Sequence, residues 1–391
     1  MGRFKREISL IYIFCFFRMF LIFIPVLVPF FQDKGLNMQE IFILQGIFGL
    51  TVALFEVPSG YLCDFIGRKK TLTVGTFLSG LAFTFLYFCE TFVDFIIFEV
   101  AVGLAMSFIS GADFSLLYDS FPDHKRANDL KTKAVAQAYF SLGFAESLAS
   151  LIGGVLVLNS FRAVLMGQLI VGWIPFIITF FLIEKPRTKP SLDHYNNLKK
   201  IFTSLLRREI KVRFLFINQI CWGLATFIAV WIFQKYWSEE NISLALFGPL
   251  WAAYNLTVAV GGKFVPQFFK SYGARWILVL LGGFPIIGYL GLGVFSSFFG
   301  VVIGLSFQLS RAINQVFIKD QLNKHFDSTF RATLNSISSL FFRGGFFIIG
   351  PIVGFSIDQF GLRTTFFSLA FIFSCLFLLV LRPLIKIFSR E

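Results

Sequence analysis

The chain has 391 residues, 56% of them hydrophobic and 15% charged, and its 35 Lys and Arg outnumber 22 Asp and Glu for a net charge of +13. So apolar a composition excludes a soluble globular domain and places the chain in a bilayer. Five scattered cysteines (Cys15, Cys63, Cys89, Cys221 and Cys375) exclude a disulfide scaffold, and basic residues in short runs between apolar segments offer no nucleic-acid surface.

A crossing helix takes about 20 apolar residues, so with connections the length holds about a dozen crossings. Apolar windows begin, in chain order, near Ile8, Gln39, Leu72, Val93, Lys133, Ala163, Glu209, Ser243, Arg275, Ser297, Arg331 and Gly361. The first follows Arg3, Lys5 and Arg6 but runs on to about Phe31, too long for a signal-peptide core, and no small-residue cleavage site follows. It is predicted to be a retained helix. The longest polar stretch, Glu184 to Arg213, divides the chain into an N-terminal six-helix half over 1–184, a cytoplasmic linker over 185–208 and a C-terminal six-helix half over 209–391. The predicted fold is an all-α membrane protein with twelve transmembrane helices in two halves.

With the amino terminus inside, the inner segments collect 27 of the 35 Lys and Arg, and the outer loops hold only Lys34, Arg162, Lys235 and Arg363. That bias predicts cytoplasmic termini, and the net charge suits an anionic inner leaflet. The halves also echo each other. Arg126-Ala127 leads a helix through Gly153 to Arg162, and Arg331-Ala332 leads one through Gly354 to Arg363, with nine residues from Gly to Arg in both. The echo falls on the fifth span of each half, as a parallel duplication requires.

Between the second and third spans stands Gly60-Tyr61-Leu62-Cys63-Asp64-Phe65-Ile66-Gly67-Arg68-Lys69-Lys70. Gly60 permits a close helix approach, Asp64 is able to accept hydrogen bonds from the N–H groups of a neighbouring helix start, and Gly67 permits a tight turn. The string resembles the signature loop of the major facilitator superfamily, G-x-x-x-D-x-x-G-R-[RK], with Phe65 where a basic residue is common. The resemblance implies that Asp64 meets the start of the eleventh span and that Arg68 pairs with an acid at the inner end of the fourth, where Asp119 stands. Gly60, Asp64, Gly67, Arg68, Lys69 and Asp119 would then form a cytoplasmic gate. A degenerate second copy, Gly262-Lys263 through Lys270-Ser271-Tyr272-Gly273-Ala274-Arg275, lacks the acid. Glu56-Val57-Pro58-Ser59-Gly60 and Ser110-Gly111-Ala112-Asp113 resemble segments of a little-characterised bacterial branch of that superfamily. Gly153-Gly154 without a preceding Pro, and Glu99 four residues before Gly103, depart from the drug-exporter pattern.

Charges at membrane depth are costly and usually face a cavity or a partner. They are Arg18, Glu56, Glu99, Asp113, Glu146, Lys263, Arg311 and Arg343, and none falls inside the third, sixth, ninth or twelfth span, as the resemblance implies for lipid-facing helices. Arg18 and Glu56 both sit roughly 12–15 Å from the inner face and are able to pair. Glu146 and Arg343 fall near the midplane, where transporters place their sites. Gln308, Arg311 and Gln315 share a helix face, as do Asn335, Ser339 and Arg343, and on the seventh span Asn218, Gln219 and Trp222. Such stripes either line water or glue helices together.

The predicted substrate and proton-coupling residues are therefore Arg18, Glu56, Asp113, Glu146, Gln219, Trp222, Gln308, Arg311, Gln315, Ser339 and Arg343. With the mid-membrane acids in the first half and Arg311 and Arg343 in the second, the predicted function is proton-coupled export of a small amphipathic or anionic organic compound by alternating access. Proton-coupled uptake of a nutrient or siderophore, or a non-transporting receptor, are the alternatives. No nucleotide loop or catalytic histidine set is present, so no enzyme activity, cofactor or metal is expected. The expected setting is the bacterial inner membrane and the expected state a monomer.

Overall fold

The structure is a computed structural model that describes residues 2–121, 125–184, 210–326 and 328–389. The linker predicted over 185–208 lies outside the described residues. Those described are helical, with no strand among them.

The first part of the chain forms α1 (Gly2–Arg18), α2 (Leu27–Asp33), α3 (Met38–Ile66), α4 (Arg68–Leu86), α5 (Phe92–Asp119), α6 (Lys125–Leu156), α7 (Phe161–Gly172) and α8 (Ile174–Phe181). The second forms α9 (Ile210–Glu239), α10 (Leu244–Val294), α11 (Ser297–Ile313), a π-helical turn (Asn314–Ile318), α12 (Lys319–Lys324), α13 (Ser328–Leu376), a second π-helical turn (Phe377–Leu381) and α14 (Arg382–Phe388). Among the described residues, eight helices are long and apolar enough to cross a membrane.

Two of these helices are double. α10 runs for 51 residues and α13 for 49, roughly 75 Å of helix against a hydrocarbon core of about 30 Å. Each breaks at a glycine whose backbone only glycine adopts without strain: Gly273 at φ 74° and ψ 176°, and Gly361 at φ 79° and ψ 167°. Gly67, between α3 and α4, has the same kind of backbone at φ 101° and ψ 153°. Gly273 lies in the string read from the sequence as a degenerate copy of the Gly67 loop, and the two glycines share this backbone.

The first span departs from the continuous helix expected from Ile8 to Phe31. α1 stops at Arg18, residues 19–23 are turns, and a 3₁₀ turn over Ile24–Val26 leads into α2. Pro25 has no N–H to give to a helix ladder. The Ile22 N–H freed by the break donates instead to Oε1 of the buried Gln168 on α7, at 2.7 Å. Irregular backbone at membrane depth requires such a partner.

Contacts group the chain into two compact units. One comprises Met1–Leu36, Ile47–Ser191 and Leu244–Ala252. Its core joins Ile11, Phe14 and Cys15 of α1 to Cys63, Leu72, Ile109, Leu116 and Ala138, and Trp173 Nε1 donates to Thr84 Oγ1 at 3.0 Å. The other comprises Asn37–Gly46, Leu192–Ser243 and Ala253–Glu391. Here buried tyrosines tie helices together by donating to backbone carbonyls: Tyr289 to Ala225 at 2.6 Å, Tyr254 to Val301 at 2.8 Å and Tyr236 to Phe295 at 3.0 Å. A Tyr hydroxyl taken out of water needs such an acceptor. In the same unit the start of α3 is held by Asp358 of α13, whose carboxylate accepts the N–H of Met38 at 3.0 Å and of Gln39 at 2.8 Å.

Candidate functional site

Four groups of predicted residues take definite places. The first is the loop after α3. The positive φ of Gly67 starts α4 abruptly, leaving the first N–H groups of that helix without intrahelical partners. Glu184 supplies the acceptors: Arg68 N donates to its Oε1 at 2.8 Å and Lys69 N to its Oε2 at 3.0 Å. Lys69 Nζ donates to the Phe180 carbonyl at 2.9 Å. The Arg68 guanidinium pairs with Asp119 and also donates to the Ser115 carbonyl, both at the C-terminal end of α5. Asp64 stands one turn before the loop. The side chains at the start of α13, toward which the resemblance directs it, lie outside the described residues. Glu184 was not among the predicted residues. Its signal was a carboxylate at the inner end of the sixth span, which reads equally as the edge of the polar linker.

The second group is at the break in the first span. Arg18 Nη2 lies 2.7 Å from Asp113 Oδ2, with side-chain exposures of 10% and 0%. The sequence suggested Glu56 as the partner of Arg18. The structure brings Asp113 to it, because α1 ends at Arg18 against the C-terminal third of α5. The third group is Glu146 on α6, whose Oε1 accepts from Trp251 Nε1 at 3.2 Å. Trp251 was not predicted, since an indole in an apolar window carries no signal of its own.

The fourth group is a cavity of about 480 Å³ in the second unit. α9 contributes Gln219, Gly223, Thr226 and Phe227; α11 and the π-helical turn contribute Arg311, Asn314 and Gln315; α12 contributes Lys319; α13 contributes Asn335, Ser338, Ser339, Phe342 and Arg343. No Asp or Glu is among the described residues that line it. Arg343 Nε donates to Ser339 Oγ at 3.2 Å, which sets the guanidinium along the α13 face. Asn314 Nδ2 donates to the Gln219 carbonyl at 3.0 Å and joins the π-helical turn to α9. Single π turns inside helices occur often at functional sites, because the extra residue re-aims side chains.

Two predicted residues stand apart from this wall. Trp222 is fully buried and donates from Nε1 to Asn218 Oδ1 at 2.9 Å, with its rings near Phe373 and Phe377. Asn218 in turn donates to the Phe214 and Val380 carbonyls. One position on from Asn218, a step of about 100° turns the face, so Gln219 meets the cavity while Asn218 and Trp222 lock α9 to the end of the chain. Gln308 is likewise buried and outside the wall, whereas Arg311 and Gln315 line it. Lys319 and Asn314 line it without having been predicted. Lys319 read as a cytoplasmic positive-inside residue, and Asn314 was hidden by the change of helical phase in the π turn.

Residues 8–329 match the family model of the Major Facilitator Superfamily. An uncharacterized MFS-type transporter of Methanocaldococcus jannaschii is 23% identical over 322 residues, 78% of this chain and 79% of the relative. An uncharacterized transporter of Buchnera aphidicola subsp. Schizaphis graminum is 24% identical over 188 residues, 46% of this chain and 45% of the relative. Among solved structures, a point mutant of the nucleoside transporter NupG superposes with a TM-score of 0.81 at 12% identity, covering 97% of this chain and 99% of that one. A bacterial homolog of the human lysosomal transporter Spinster superposes with a TM-score of 0.73 at 15% identity, covering 100% and 98%. At such identities the structural likeness speaks for the fold alone.

Proposed function

The chain belongs to the major facilitator superfamily, a family of membrane transporters, and on that premise we propose that it is a secondary active transporter of a small organic solute with an anionic group. The observation that carries this reading is the cavity wall: Arg311, Lys319 and Arg343 stand among carboxamides and hydroxyls, with no acid among the described lining residues. A guanidinium presents a planar fork of donors that fits a carboxylate or phosphate, and Lys adds a point charge. Phe227 and Phe342 give the cavity an apolar side for the rest of the molecule.

Proton coupling is the second element of the proposal. Glu56, Asp113 and Glu146 are acids within the spans of the first half, and Arg18 beside Asp113 is a switchable partner: protonating the carboxylate would release the guanidinium. We infer twelve crossings with both termini cytoplasmic, counting α1 with α2 as one span, α7 with α8 as one, and α10 and α13 as two each. The halves 1–184 and 209–391 would rock around a midplane cavity in alternating access. The gate would be Gly60, Asp64, Gly67, Arg68, Lys69 and Asp119. Export against proton entry in a bacterial inner membrane is the direction we favour.

The test is proton flux in proteoliposomes under an imposed pH gradient, with a panel of organic anions and neutral analogues added in turn. An anion that triggers flux in the wild type, with the flux lost in Arg343→Gln, supports the reading. Flux triggered equally by the neutral analogues would sink the anionic substrate, and substrate uptake without any proton movement would sink the coupling.

A further inference from the structure

A second cavity of about 510 Å³ plays no part in the site above. Its walls are Leu256, Val260 and Phe264 before the Gly273 turn, Ile277 and Phe284 after it, and Leu309 of α11. Leu256, Val260 and Phe264 are 61%, 43% and 59% exposed, so the cavity is a groove open along the helix flank. Its α10 wall extends from Leu256 to Phe268, about 18 Å of helix, which is the depth of one leaflet. The groove descends toward the Gly273 turn, placed on the cytoplasmic side by the distribution of basic residues.

The rim of the groove carries charge that the transport mechanism does not use. Lys263 and Lys270 are exposed and follow Leu256 at steps of seven, so all three share one helix face. Arg275 is exposed just beyond the turn. None of the three cations has a carboxylate partner among the described residues. Lys263 lies about 10 Å above Lys270 toward the membrane centre, where an unpaired ammonium is costly and its flexible stem reaches for the interface. Tyr272 and Trp276, 61% and 54% exposed, mark the level of the headgroups at the same end.

We propose that this groove binds an anionic phospholipid of the inner leaflet. One acyl chain lies along Val260, Phe264, Phe284 and Leu309, and the phosphate is held by Lys263, Lys270 and Arg275. The apolar wall accounts for the chain, and the three cations at its cytoplasmic end select a negative headgroup over a zwitterionic one. The site is separate from the substrate cavity and stands whatever solute is carried.

The test uses the full chain, delipidated in a neutral detergent and titrated with phosphatidylglycerol or with phosphatidylcholine of the same acyl chains. Bound lipid is counted by native mass spectrometry and the unfolding midpoint is followed in parallel. The expected result is one retained phosphatidylglycerol, bound roughly tenfold or more tightly than phosphatidylcholine, since each Lys or Arg near an anionic surface contributes about 1 kcal/mol. Lys263→Gln with Lys270→Gln, both exposed, should abolish that preference, and Val260→Trp should reduce retention of both lipids by filling the groove. Equal binding of the two lipids by the wild type overturns the proposal. So does an undiminished preference in the double variant, which would place the anionic lipid elsewhere, and so does undiminished retention in Val260→Trp.

Discussion

Arg18 and Asp113 hold opposite charges where their side chains are 10% and 0% exposed. Removing one partner leaves the other charged without compensation, and Asp113→Ala is expected to destabilise the protein by about 3–5 kcal/mol. Replacing both with apolar residues, Arg18→Met with Asp113→Leu, is expected to restore the unfolding midpoint. A double variant that folds yet still couples solute movement to protons would show the pair to be only structural. Cavity residues are predicted to behave differently. Arg311→Gln and Arg343→Gln remove charge-assisted hydrogen bonds worth roughly 1.5–3 kcal/mol each, so each should weaken binding of the transported anion about tenfold or more. Their unfolding midpoints without solute should stay near the wild type, and a variant with unchanged affinity would remove that arginine from the site.

Helix ends carry the next level of control. Glu184 accepts two N–H groups at the start of α4, the work of a capping residue. Glu184→Ala is expected to cost about 1–2 kcal/mol, seen as a lower unfolding midpoint, and Glu184→Gln, which keeps one of the two acceptor oxygens, should lose less. Equal losses would point to charge rather than capping. Asp358 does the corresponding work for α3. Asp358→Ala is predicted to speed hydrogen exchange at the Met38 and Gln39 amides several-fold, because their acceptor is gone. Unchanged exchange at these two amides would mean that the contact does not persist in solution. The break between α1 and α2 belongs to this scale too, with Gln168 replacing the helical acceptor that Ile22 lacks.

For the molecule as a whole, the distribution of charge makes a topological prediction. In a background with Cys15, Cys63, Cys89, Cys221 and Cys375 replaced, a cysteine at Asn159, between α6 and α7, should react with an impermeant thiol reagent applied outside intact cells. One at Ser271, beside the Gly273 turn, should react only after permeabilisation. Labelling of Ser271→Cys from outside would invert the assigned orientation and with it the leaflet of the lipid groove.

The sequence alone determined the membrane environment and the family, because hydropathy and a local motif are written along the chain and need no knowledge of what lies across from what. It also pointed to Arg311, Gln315, Ser339 and Arg343, which line one cavity, since polar residues spaced by three and four on an apolar helix share a face. It could not separate Trp222 and Gln308, which are buried outside that cavity wall, from the residues that line it, because periodicity names a face but not its neighbour: a polar face turned to another helix and one turned to a cavity have the same spacing. Only the tertiary structure decided that Arg18 meets Asp113, that Glu184 caps α4 and that Trp251 reaches Glu146. Each joins residues at least 95 positions apart in the chain or on separate helices whose relative rotation is set by packing. The break in the first span and the π-helical turn at Asn314 were also decided there, since both depend on whether a neighbouring helix satisfies the backbone groups that an irregular turn sets free.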